Sequence, residues 1–164
     1  MEKKYEFTDE IDMLYRRPVR RIRALRDFGN IKKGDVGGFI EHEGNLSHEG
    51  DCWVGDSAKV CNNAQVYENA QVFGRAHISC NARIYGNANV FGNACVESNA
   101  HIFDNAQVYG ITEIHGNAKV CEKAHIGGDA VVCGDTCISG NTHIGYNRKA
   151  EHIRRKKTER ISCF

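Results

Sequence analysis

The chain's chemical capacity lies in its eight histidines and eight cysteines, and in cationic and aromatic residues placed at one recurring interval. Arg83, His101 and Lys119 follow one another every eighteen residues, as do Gln107, His125 and His143, and Tyr85 and Phe103. A neutral imidazole can accept a proton from a nucleophile, so His101, His125 and His143 are the candidate general bases. Arg83 and Lys119 suit a phosphate or carboxylate. Tyr85, Phe103 and Tyr109 offer aromatic surface to a planar ligand. The expected ligand-binding set is therefore Arg83, Tyr85, His101, Phe103, Gln107, Tyr109, Lys119 and His125. A second group, His77, Cys95, Glu97, Glu113, His115 and Cys133, combines the residue types that hold metals or activate a thiol.

The interval comes from a six-residue repeat. Residues 51–146 divide into sixteen hexads without insertion, including NAQVYE, NAQVFG, NARIYG and NANVFG. The fourth position is Val or Ile in all sixteen, and the second is Ala in twelve, Thr in three and Cys once. Positions two and four lie on one face of a strand, and a small residue with a β-branched one suits a narrow core. Positions three and five point outward. Gly, then Asn or Asp, at positions six and one supports a sharp corner. The apolar spacing excludes an amphipathic helix. The identical corners favour a solenoid over stacked hairpins.

These Val/Ile-x-Gly-Asn-Ala-x runs resemble the bacterial hexapeptide-repeat family, over residues 51–146. The resemblance implies a left-handed parallel β-helix with three hexads per coil, hence about five coils. It also implies a homotrimer packed along its prisms. The segment 21–50 is similar to the leader of short hexapeptide-repeat proteins of bacterial and prophage genomes. Family acyltransferases place a histidine beside an inter-subunit groove that holds acetyl-CoA. No loop projects from the coils here to shape an acceptor pocket. The three-histidine zinc spacing of the family's carbonic anhydrases is also missing, since two coils after His77 comes Glu113, and after His101 comes Cys137. No metal and no resident cofactor are expected.

Three hexads per coil sort the outward residues into three faces. The first carries Trp53, Phe73, Phe91, Tyr109, His125 and His143. The second carries Lys59, His77, Cys95, Glu97, Glu113 and His115. The third carries Tyr67, Arg83, Tyr85, His101, Phe103 and Lys119. Two aromatic ladders are expected, Phe73–Phe91–Tyr109 and Tyr67–Tyr85–Phe103, on adjacent faces that share a corner. They are read as a subunit interface first and as coil-to-coil stacking second. Lys59 points outward and is expected to tolerate replacement by Asp.

The fold is thus expected to be all-β. An N-terminal β cap spans 1–50, the β-helix spans 51–146, and a basic C-terminal tail or short helix spans 147–164. Cap strands are expected around Tyr5 and Phe7, around Ile22 and Ala24, and at Phe39-Ile40 after a turn at Gly37-Gly38. The 22 basic and 21 acidic residues nearly balance. Only the tail, with Arg154, Arg155, Lys156 and Lys157, is basic, so nucleic acid is not an expected partner. No apolar run spans a bilayer and no secretory signal is evident, which points to the cytoplasm and to free thiols.

Three functions follow from this reading. The first is a non-catalytic trimer that binds a small molecule, nucleotide-like in character, or a host protein partner, as a phage-encoded product would. The second is an acyltransferase using acetyl-CoA. The third is a structural assembly module. Phosphate-cradling and dinucleotide fingerprints are absent, because the glycines recur every six residues rather than ahead of a helix.

Overall fold

The corner of each hexad turns on its sixth residue. In a computed structural model that describes residues 2–145, every sixth-position residue from Asp56 to Gly140 has a positive φ. Glycine takes this conformation freely, but Asp56, Asn62, Glu68, Cys80, Ser98, Asp104 and Glu122 take it with a Cβ present. Side chains help to hold several of them. Asp56 Oδ2 accepts from Gly74 N at 3.0 Å, and Glu68 Oε2 accepts from Gly86 N at 2.7 Å, each one coil away.

Between corners run sixteen two-residue strands, from Trp53–Val54 to His143–Ile144. Strands eighteen residues apart pair in parallel, as Asn89 pairs with Gln107 and His101 with Lys119. Among the described residues the first face is a six-stranded sheet, the third a five-stranded sheet, and the second an eight-stranded sheet that includes cap strands. The result is an all-β parallel solenoid of about six turns. Positions two and four fill its interior: Ala88, Val90, Ala100 and Ile102 have no exposed surface. Where Thr replaces Ala, its hydroxyl finds an acceptor in the same corner. Thr112 Oγ1 donates to Tyr109 O and Thr136 Oγ1 to Cys133 O, both at 2.7 Å.

The cap contains β1 (Tyr5–Leu14), β2 (Arg17–Ala24) and β3 (Val36–Ile40). β1 and β2 form an antiparallel hairpin, and β2 pairs antiparallel with β3. β3 then pairs in parallel with Lys59–Val60, which joins the cap to the second sheet. Ile40 sits over Val60 and Leu46 over Val66, and both are fully buried. The solenoid core therefore begins upstream of the regular hexads, through a coil of twenty residues rather than eighteen. Gly37 and Gly38 lie within β3 and not in a turn before it. A Cβ at Gly37 would stand 2.6 Å from both Trp53 Cζ2 and Val54 O, and one at Gly38 would stand 2.6 Å from Ala58 O. Close approach of two backbones, and not a change of direction, is what requires glycine there.

The open end of the first coil is sealed by Lys4 and Tyr5, both without exposed surface. Lys4 Nζ donates to Cys52 O at 2.7 Å and to Gly50 O at 3.3 Å, while Tyr5 Oη donates to Leu46 O at 2.7 Å. These carbonyls would otherwise be strand-end acceptors with no partner. The basic segment 147–164, with Arg154 to Lys157, lies outside the described residues, as does Tyr146 of the last hexad. No helix among the described residues is long and apolar enough to cross a membrane.

Candidate functional site

Position three places Arg83, His101 and Lys119 in one column of the third sheet. Arg83 and His101 are direct strand partners, and so are His101 and Lys119. Position five places Tyr67, Tyr85 and Phe103 in the adjoining column. Their rings stack at 4.9 Å and 5.0 Å with planes within 6° of parallel. Tyr85 Oη lies 3.3 Å from His101 Nδ1, with the two rings edge to face. Burial depresses the His101 pKa, and the cations Arg83 and Lys119 on either side push it further down. The imidazole is therefore neutral near pH 7. Burial also raises the Tyr67 and Tyr85 hydroxyls above their ordinary value.

The first sheet carries the rest of the predicted set. Gln107 pairs with His125, and His125 with His143. The two imidazoles stack at 4.6 Å. Phe73 and Phe91 stack at 4.9 Å, and Phe91 and Tyr109 at 5.2 Å. The candidate bases thus fall into two groups, His101 on the third sheet and His125 with His143 on the first.

The two ladders expected on faces that share a corner form two stripes, and the ring stacking lies within each ladder. Each ladder occupies the fifth hexad position, at the far end of its face, so the width of the first face separates them. All six rings are half-buried rather than exposed. Each ring covers the next, which lessens the need for a partner chain to hide them. The large exposed apolar side chains are elsewhere, at Ile11, Met13, Tyr15, Val36 and Ile111.

The second face departs most from the sequence reading, because the tip of the β1–β2 hairpin folds onto it. Lys59 Nζ meets Asp12 Oδ2 at 2.9 Å and donates to Met13 O at 3.1 Å. Tyr15 sets its ring edge-on to His77, with centroids 6.2 Å apart, and its hydroxyl 3.5 Å from Cys95 Sγ. Leu14 and Val19 of the hairpin join Phe39 and Cys61 in a small second core. Burial lowers the His77 pKa and raises the Cys95 thiol. A half-buried thiol with a raised pKa is a poor nucleophile. Among the described residues no group of three or more His, Cys, Asp or Glu is arranged to hold a metal ion. The sequence signal for this clasp was faint. It consists of the apolar Leu14 and Tyr15 at the end of a charged alternating strand.

Two recesses open where the cap meets the ladders. One, of about 400 Å³, is lined by Ile31, Asp35, Trp53, Asp56, Gln71 and Phe73 among others, at the head of the first-face ladder. The other, of about 310 Å³, includes Ser47, His48, Gln65 and Tyr67 at the head of the third-face ladder. Neither was foreseen from the repeat, because each needs the cap as a wall.

The chain matches no protein-family model and no curated protein. Its class is defined by geometry: a three-sheeted parallel β-solenoid with an N-terminal hairpin clasped across one face.

Proposed function

We propose that the protein is a non-catalytic binding scaffold, and that its third face holds an anionic, nucleotide-like ligand in a groove between copies of a homotrimer. The observation that supports this most is the unbroken column Arg83–His101–Lys119 beside the stacked Tyr67–Tyr85–Phe103 ladder. Two cations flanking a neutral imidazole suit a phosphate, with Arg83 able to bind it in bidentate fashion. Most ring faces are occupied by neighbouring rungs, so the ligand's apolar part lies along ring edges. Gln107, Tyr109 and His125 of a neighbouring copy would supply the opposite wall. A solenoid without a projecting loop, and with the Cys95 thiol half-buried and raised in pKa on its second face, offers little for group transfer.

A second reading, acetyl-CoA-dependent acyl transfer, is favoured by one feature: His101 is held neutral, with Nδ1 against the Tyr85 hydroxyl, the form a general base requires. Light scattering with calorimetry separates the readings. A trimer that binds nucleotides and not acetyl-CoA supports the scaffold. A monomer at micromolar concentration removes the inter-subunit groove. Release of free CoA thiol from acetyl-CoA establishes the enzyme.

A further inference from the structure

The first-face ladder has a missing rung. Its column runs Gly55, Phe73, Phe91, Tyr109, Gly127, so a glycine stands at each end of three stacked rings. The two ends differ. At the lower end Tyr109 tilts to 16° and lies against the Gly127 backbone, where an added Cβ would meet its Cε2 at 2.3 Å. That end is closed by the ladder itself. At the upper end an added Cβ at Gly55 would meet nothing nearer than Trp53 Cδ1 at 3.5 Å, Trp53 Nε1 at 3.7 Å and Phe73 Cβ at 3.8 Å. Phe73 has Phe91 beneath it and, among the described residues, no ring above it. Gly55 and Phe73, one coil repeat apart, both line the recess of about 400 Å³ under the cap, so the recess reaches the upper end of the ladder.

The walls of that space have a definite chemistry. Phe73 offers a ring face, and Ile31 and Val36 offer apolar sides. Trp53 brings its indole edge, with Cδ1 and then Nε1 closest to the Gly55 position. Asp35 and Asp56 line the recess, and no Lys or Arg does. Each carboxylate spends Oδ2 on a backbone amide, Asp35 on Lys32 N at 2.9 Å and Asp56 on Gly74 N at 3.0 Å, which fixes it in place. The recess therefore combines a stacking platform, carboxylate acceptors and an N–H donor.

We infer that this recess binds a planar amino-substituted heteroaromatic ring, the chemistry of a nucleoside base, as the fourth rung of the ladder. Stacking on Phe73 accepts any base, because every base has a π-face. The carboxylates select an exocyclic amino group, which adenine and cytosine have and uracil lacks. They also repel a phosphate, so the neutral nucleoside binds better than its monophosphate. This site is separate from the cationic groove of the third face, and neither proposal depends on the other.

Trp53 is the single tryptophan of the chain, so its fluorescence reports on this recess alone. The experiment titrates adenosine, uridine and adenosine monophosphate into the full chain and into Gly55→Phe, Asp35→Asn and Arg83→Ala. Gly55 has an ordinary φ and a Cβ there meets only ordinary van der Waals contacts, so Gly55→Phe is expected to fold and to place its ring in the recess. Adenosine should quench Trp53 saturably, with uridine and the monophosphate weaker by roughly tenfold or more. Gly55→Phe should abolish the response and Asp35→Asn should weaken it several-fold. Arg83→Ala should leave it unchanged while weakening any nucleotide bound to the third face. The inference is overturned if wild-type protein gives no saturable response to millimolar adenosine. Undiminished binding in folded Gly55→Phe, or in Asp35→Asn, also overturns it, as does uridine binding as tightly as adenosine.

Discussion

Tyr15 Oη lies 3.5 Å from Cys95 Sγ, across eighty residues of sequence, and this contact closes the hairpin onto the second face. Tyr15 and Arg16 make the two-residue turn of the hairpin with φ of 49° and 66°. Two positive φ values suit a tight hairpin but are costly for side chains with a Cβ. The packing of Leu14 and Tyr15 on the solenoid offsets that cost. Tyr15→Asn keeps a residue that favours the turn and removes the cover over Cys95. Burial raises the Cys95 thiol while the Tyr15 hydroxyl lowers it, and this variant removes both, so the change to be read is in access to the sulfur. Maleimide labelling of Cys95 should accelerate about threefold or more, with exposed Cys80 as the internal reference. An unchanged Cys95 rate would mean that the tip does not shield the thiol in solution.

The solenoid core and the clasp give contrasting stability effects. Val90 is fully buried within the first sheet, so Val90→Asp leaves an unpaired carboxylate inside and should cost several kcal/mol, about 3 or more. Lys59 was expected from the hexad phase to be dispensable. It faces outward, but onto the hairpin, where it binds Asp12 and the Met13 carbonyl. Lys59→Asp would set two carboxylates together and should cost about 1–2 kcal/mol, a modest figure because Asp12 is half-exposed. Exposed Lys123→Gln should stay within about 0.5 kcal/mol. Urea melts of the three variants test this order, and an equal loss for Lys59→Asp and Lys123→Gln would remove the clasp from the stability account.

The repeat made the interior legible. A Val or Ile at every fourth position and a small residue at every second position left one packing solution, and Val90 and Ile102 lie where that solution puts them. The ladders followed from the eighteen-residue spacing, and Tyr85 does stack between Tyr67 and Phe103. Their half-burial did not follow, because a column reading fixes height along the prism and not how far each ring covers the next. The cap was legible only as strands. Its hairpin direction is set by packing between Leu14, Val19, Phe39 and Cys61, four residues spread over the first 61 positions with no shared period. The recess above Phe73 depends on the missing side chain at Gly55 and on Ile31 arriving from the cap.

Two half-buried histidines make stability fall on mild acidification. His101 and His77 both have folded-state pKa values below their ordinary 6.5, through burial first and neighbouring cations second. Above about pH 6.5 neither folded nor unfolded chain holds these protons, so nothing is lost. Below it the unfolded chain takes them up first, and stability declines until the depressed folded pKa is reached. Melting temperature should therefore drop as pH falls through about 6.5. His77→Gln and His101→Gln should each flatten part of that slope. A flat profile in the wild type would contradict the depressed values.

Truncating Arg83 or His101 separates binding from catalysis on the third face. A ligand held by charge beside the Tyr85 ladder should lose affinity when Arg83 is truncated. The loss should be about 1.5–3 kcal/mol for a charged hydrogen bond shielded in a groove, and less if the groove stays open to water. His101→Ala should weaken the same ligand only modestly, because the imidazole is neutral and already engaged by the Tyr85 hydroxyl. If His101 is a general base, His101→Ala should instead cost about 10²–10⁴-fold in turnover with acetyl-CoA, while binding of the thioester barely changes. His125→Ala and His143→Ala distinguish a base on the first sheet from one on the third, since those two imidazoles stack on each other and lie on a different face from His101. Calorimetry on Arg83→Ala and His101→Ala, with a thiol-release assay on all three histidine variants, gives a distinct pattern for each case. Affinity lost at Arg83 with no turnover anywhere supports the scaffold. Turnover that depends on a single histidine identifies the enzyme and the face on which it works.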